Sequence, residues 1–84
     1  MPIKLHFTEH ALGRMAKRQL QQAWVERIIA DPACIEPDAD DAALEHRLGA
    51  VPELAGRVLR VIVSKDEPRR VVSVYLDRTM KGKI

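Results

Sequence analysis

Glu9-His10-Ala11-Leu12-Gly13-Arg14-Met15-Ala16-Lys17-Arg18 is the stretch whose reading decides the fold. At ~100° per residue, Ala11, Leu12, Met15 and Ala16 fall on one side of a helix. His10, Arg14, Lys17 and Arg18 gather on the other, within an arc of ~100°. One side can be buried, and the other is a row of cations with an imidazole one turn before an arginine. Thr8 is placed to cap the helix, Glu9 suits the positive end of its dipole, and Lys17 and Arg18 suit the negative end. Gly13 costs about 1 kcal/mol relative to alanine inside a helix, and is read as marking a close packing contact, with a notch for a ligand as the alternative.

Upstream, Ile3, Leu5 and Phe7 alternate with Lys4 and His6, which reads as a short strand or extended lead-in over residues 3–7. Downstream, Leu20 can staple onto Val25. A second helix over residues 21–30 turns Trp24, Val25, Ile28 and Ile29 to one face. Asp31-Pro32 ends it, because proline drives the preceding residue out of helical geometry. Residues 33–37 read as an edge strand and 38–43 as an acidic loop. Residues 44–51 form a weaker strand, and 52–56 a turn. The two strongest strands come last. Residues 58–64 set Leu59, Val61 and Val63 on one face, and residues 70–77 set Val72, Val74 and Leu76 on one face, joined by a polar hairpin connection. Residues 78–84 are a basic tail. The expectation is a single α+β domain over residues 1–84, with two N-terminal helices packed on one face of a sheet of about four antiparallel strands. Arg60, Ser73 and Tyr75 would then lie on the opposite face.

Eighty-four residues suffice for one small core, which must be aliphatic, because the chain has one Trp, one Tyr and one Phe. The single Cys34 excludes an internal disulfide and offers no zinc spacing, which points to the reducing cytoplasm. No run approaches the ~18 apolar residues of a membrane span, and the first residues lack the pattern of a signal peptide. Net charge is only +2, yet it is unevenly spread. Between Asp31 and Glu53 lie seven acids against one base, and the remainder carries thirteen bases and five acids. A basic body attracts polyanions, RNA and DNA first among them.

The chain has no glycine-rich phosphate loop, no nucleophile elbow and no His-x-x-x-His or cysteine pair. No metal and no cofactor are expected. Metal-independent phosphodiester chemistry remains open. It needs a proton acceptor for the 2′-hydroxyl, a proton donor for the leaving oxygen and cations on the phosphorane. His10 or His46 can exchange the protons; Arg14, Arg18 and Arg60 can hold phosphate; Tyr75 can hydrogen-bond or stack a base.

The pattern His10-x-x-x-Arg14-Met15-x-x-Arg18, a second short helix ending at Asp31-Pro32, then Arg60-Val61-Ile62-Val63 and Val71-Val72-Ser73-Val74-Tyr75, resembles the family named domain of unknown function 4258. That family is similar in turn to the RelE and BrnT toxins of the barnase–colicin–RelE ribonuclease superfamily. The resemblance implies a RelE-like fold and a toxin-like, metal-independent endoribonuclease of mRNA-interferase type. By position its marked residues are His10, Arg14, Arg18 and Tyr75. The catalytic set would be His10, Arg14 and Tyr75, and RNA would lie on Arg14, Lys17, Arg18, Arg60, Arg78 and Lys81. RNA or the ribosome is the implied partner, with a protein antitoxin as a second. Two other readings stand beside it. One is a non-catalytic RNA- or protein-binding module of the same fold. The other is a homodimer in which the acidic segment of one copy docks on the basic surface of the next.

Overall fold

In the computed structural model, which describes residues 5–84, the chain folds as β1 (Leu5–Phe7), α1 (Glu9–Arg18), α2 (Gln22–Ala30), β2 (Cys34–Pro37), β3 (Leu44–Val51), β4 (Arg57–Ser64) and β5 (Arg69–Asp77). Short 3₁₀ turns follow β3 at Pro52–Leu54 and β5 at Arg78–Met80. The five strands form one sheet in the order β1-β5-β4-β3-β2. Strands β2 to β5 are antiparallel neighbours, as their hairpin connections require. β1 is the addition that corrects the expected sheet of about four antiparallel strands: it pairs parallel to the start of β5, making the sheet five-stranded and mixed. Three residues carry too little alternation to reveal a partner, and Ile3 and Lys4 of the expected strand lie outside the described residues.

Both helices cover one face of the sheet, α1 over β5 and α2 over β3 and β4. Thr8 joins α1 to the sheet. Its Oγ1 accepts from the Ala11 N–H at 3.1 Å, as an N-cap should, while its own N–H and hydroxyl donate to the Val71 carbonyl, and the hydroxyl also points at the Val72 carbonyl. Chain reversal after α1 places Gln19 in left-handed geometry (φ 55°), with the Leu20 N–H donating to the Met15 carbonyl at 2.8 Å. Leu20 is thereby turned into the core. Close approach of α2 to β3 is set by Gly49, where a Cβ would lie 3.0 Å from Ile28 Cγ1.

The core joins Ala11, Met15, Leu20, Trp24, Val25, Ile28 and Ile29 to Val51, Leu59, Val61, Val63, Val71 and Val74. Each buried aliphatic side chain in such a core contributes roughly 1.5–3 kcal/mol. Two expectations are corrected here. Val71, not Val72, faces the helices, because Ile62 pairs with Ser73 but Val63 pairs with Val71, leaving Val72 as a bulge residue. One extra residue reverses the alternation. The apolar side of α1 is also narrower than expected: Ala11 and Met15 are buried, whereas Leu12 (47% exposed) and Ala16 face outward. α1 lies over β5, whose outer edge from Ser73 onward carries no strand among the described residues to cover a wider stripe.

Candidate functional site

Nine arginines occur in the chain, and ion pairs divide them. Arg27 pairs with Glu53, Arg47 with Glu45, Arg60 with Glu36 and Asp77, and Arg69 with Glu45 and Glu67. Arg14, Arg18, Arg57, Arg70 and Arg78 make no ion pair among the described residues. Four of those five line one cleft of about 450 Å³, together with Val74, Tyr75 and Leu76. Among the described residues no carboxylate lines it.

The fold explains the convergence. β1 covers only Arg69–Val71 of β5, so from Ser73 onward the outer edge of β5 carries no strand among the described residues. Val74 and Leu76 belong to the helix-facing side and Tyr75 to the other. A cleft lined by all three therefore wraps the open strand edge. Arg14 and Arg18, one turn apart on α1, form one wall. Arg57 and Arg78 form the other, because the β4–β5 register pairs Val58 with Asp77 and so brings the residues just beyond that pair side by side. Tyr75 is 38% exposed.

Behind this wall lies a polar lock on the open face of the sheet. Arg60 donates through Nε (3.0 Å) and Nη2 (2.8 Å) to Asp77 Oδ2, and through Nη1 to Glu36 Oε1 (2.8 Å) and His46 Nδ1 (2.7 Å). Arginine can only donate, so His46 Nδ1 accepts, and Nε2 carries the proton donated to Asp38 Oδ1 at 2.7 Å. Asp77 uses its other oxygen, Oδ1, to accept from the Thr79 N–H (3.0 Å) and hydroxyl (2.6 Å). That caps the 3₁₀ turn that starts with Arg78. The Thr79 hydrogen bond first, then Arg60, hold the Asp77 carboxyl below its ordinary range. The hydrogen bond from His46 does the same for Asp38. Burial opposes the charge on Arg60, but the hydrogen bonds to Asp77 and Glu36 outweigh it and raise its pKa further.

This arrangement sorts the residues expected to act. Arg14, Arg18, Tyr75 and Arg78 meet in the cleft. Lys81 lines a smaller hollow that adjoins it. His10 and Lys17 lie in a separate groove with Glu9, Gly13 and Arg14, so Arg14 borders both while His10 and Tyr75 do not share a lining. Arg60 lies outside the cleft: its side chain is only 13% exposed and donates to Asp77, Glu36 and His46, so a phosphate would have to displace carboxylates. The close contact expected at Gly13 is corrected, since a Cβ there would meet nothing within 4 Å. Arg57 is the residue sequence reasoning missed. It sits at the start of β4, where alternation seemed to begin one residue later; extending the hairpin register by one position would have placed it beside Arg78. Among the described residues no three His, Cys, Asp or Glu side chains are grouped to hold a metal ion, and no helix is long and apolar enough to cross a membrane.

The model of the family described as domain of unknown function (DUF4258) matches residues 7–76, and the chain belongs to that family. No curated protein and no solved structure matches it.

Proposed function

We propose that this member of the DUF4258 family binds single-stranded RNA along the open edge of β5. The observation that carries the reading is the gathering of four arginines without ion-pair partners, Arg14, Arg18, Arg57 and Arg78, around Tyr75 in a cleft without a carboxylate. Like charges held together in this way repel one another until an anion arrives. Guanidinium forks fit phosphate oxygens, and the exposed face of a tyrosine can stack on an unpaired base. The groove of a strand edge suits an extended chain better than a duplex.

The test is fluorescence anisotropy with labelled single-stranded RNA, repeated with the same sequence as DNA and across a salt series. Four phosphate contacts give a slope of about −3 in log K against log salt, and each Arg→Ala change in the cleft should reduce it by about 0.7. Arg70→Ala, outside the cleft, should leave the slope unchanged. Binding that ignores salt, or equal losses at Arg70 and Arg57, would sink the reading.

Cleavage is the second reading, expected from the resemblance to RelE- and BrnT-type toxins and favoured by the position of the Tyr75 phenol among the arginines. The 2′-oxygen would attack phosphorus and the bond to the 5′-oxygen would break. The phenol would give its proton to that oxygen, and the arginines would hold the phosphorane. The 2′-hydroxyl proton would go directly to His10, which requires the RNA to run from the cleft into the groove that Arg14 also lines. The same RNA, incubated with chelator and with translating ribosomes, separates the readings. Cleavage lost in Tyr75→Phe and His10→Ala with binding retained supports the enzyme. Intact RNA leaves a binding module.

A further inference from the structure

The arginine cleft does not end at Arg57 and Arg78. A second hollow of about 210 Å³ opens on the other side of them, lined by Arg57, Val58, Leu76, Asp77, Arg78 and Lys81. Arg57, Leu76 and Arg78 line both spaces, so the two arginines form the divide between them. The two spaces differ in character. The larger one offers Tyr75 and the helix arginines, and the smaller has the aliphatic Val58 and Leu76 with Lys81 among its lining. The one carboxylate in the smaller hollow, Asp77, already accepts two hydrogen bonds at each oxygen, from Arg60 and from Thr79, so both its oxygens are engaged within the fold.

The divide itself has the geometry of a seat for one phosphate. Arg57, at the start of β4, and Arg78, at the start of the 3₁₀ turn, directly flank the Val58–Asp77 pair, and both line both spaces. Asp77, pinned by Arg60 on one oxygen and Thr79 on the other, holds the backbone from which Arg78 departs. Two arginines that line the same two spaces, with no ion pair to either among the described residues, call for an anion between them.

We infer that the site takes two consecutive nucleotides, with the phosphate that joins them on the Arg57–Arg78 divide, one base against Tyr75 and the other in the Val58–Leu76 hollow. This rests on the single-stranded RNA reading and specifies its smallest complete ligand. A mononucleotide fills one space only. A dinucleotide fills both and places its charge where the two arginines converge.

The experiment is a titration of the whole chain with four probes: a nucleoside monophosphate, a dinucleotide, the same dinucleotide joined by an uncharged methylphosphonate, and a single-stranded RNA of about ten nucleotides. The dinucleotide should bind about tenfold or more tighter than the methylphosphonate, the scale of one charge-assisted contact, and tighter than the monophosphate, which leaves one base space empty. Lys81→Ala, a change at an exposed residue of the smaller hollow, should weaken the dinucleotide more than the monophosphate. Equal binding of the natural and methylphosphonate dinucleotides overturns the seat. Equal binding of monophosphate and dinucleotide overturns the second subsite, even if the longer RNA binds well. Failure of the longer RNA to bind overturns the RNA reading itself, and this inference with it.

Discussion

At the scale of single residues, the informative division is between arginines that are spoken for and arginines that are not. Arg60 reads as a phosphate ligand because its guanidinium fork matches phosphate oxygens. Its partners come from three other elements: Glu36 on β2, His46 on β3 and Asp77 on β5. No local pattern announces such a convergence. Arg14 and Arg18, in contrast, were legible, because helical spacing alone sets them on one exposed side. Gly13 offers a clean test at this scale. It sits in the helix interior with empty space where a Cβ would be. Gly13→Ala should therefore stabilise the protein by about 0.5–1 kcal/mol through helix propensity and a less disordered unfolded chain, read as a rise in the urea midpoint. A fall in the midpoint would mean that the open space beside Gly13 is filled by something the helix needs.

At the scale of elements, the cleft depends on how α1 is held against β5. Thr8 makes that attachment with one side chain, capping the helix and reaching the Val71 and Val72 carbonyls at 3.1 Å each. Thr8→Ala should cost about 1–2 kcal/mol, the range for loss of an N-cap. It should also weaken RNA binding beyond what Thr8 itself could contribute, because the Arg14–Arg18 wall shifts relative to Arg57 and Arg78. Chemical denaturation and the anisotropy titration measure the two effects. Destabilisation with unchanged affinity would mean that the wall is set by the core contacts of Ala11 and Met15 instead. The capping role could be read from the sequence, since a threonine before an amphipathic run is a strong start signal. The bulge at Val72 could not. Val71 and Val72 are the same residue type, and only the pairing of β5 with β4 decides which turns inward.

At the scale of the whole molecule, the uneven charge along the chain becomes an uneven charge in space. Four of the seven acids between Asp31 and Glu53 are engaged within the fold: Glu36 with Arg60, Asp38 with His46, Glu45 with Arg47 and Arg69, and Glu53 with Arg27. The acidic segment thus neutralises the structural bases and leaves those of the cleft uncompensated. Its pairs also make the stability of the fold depend on pH. The hydrogen bond from Arg27 is the main cause that brings the Glu53 carboxyl from 4.5 down to about 2, and Asp38 and Asp77 are lowered in the same sense. A carboxyl lowered by folding contributes stability above its unfolded pKa and loses it as pH falls through the folded one. The urea midpoint should therefore hold steady from pH 7 to about 5 and drop between about 4.5 and 2, with a shallower drop in Glu53→Gln. A midpoint that stays level through that window would show that these pairs add nothing to the folded state.

The sequence by itself determined the elements, because helical and strand periodicity, Thr8 and Asp31-Pro32 act over a few residues and need no distant partner. It also determined the family, from the spacing of His10, Arg14 and Arg18 and the valine-rich strands that follow. Tertiary structure alone decided that β1 joins β5 in parallel, that Val71 replaces Val72 in the core, and that Arg57 enters the cleft while Arg60 leaves it. Each of those outcomes turns on strand register and on charges brought together across the sheet. Such contacts come from residues far apart in the chain, and their energies depend on pairings that no local stretch contains.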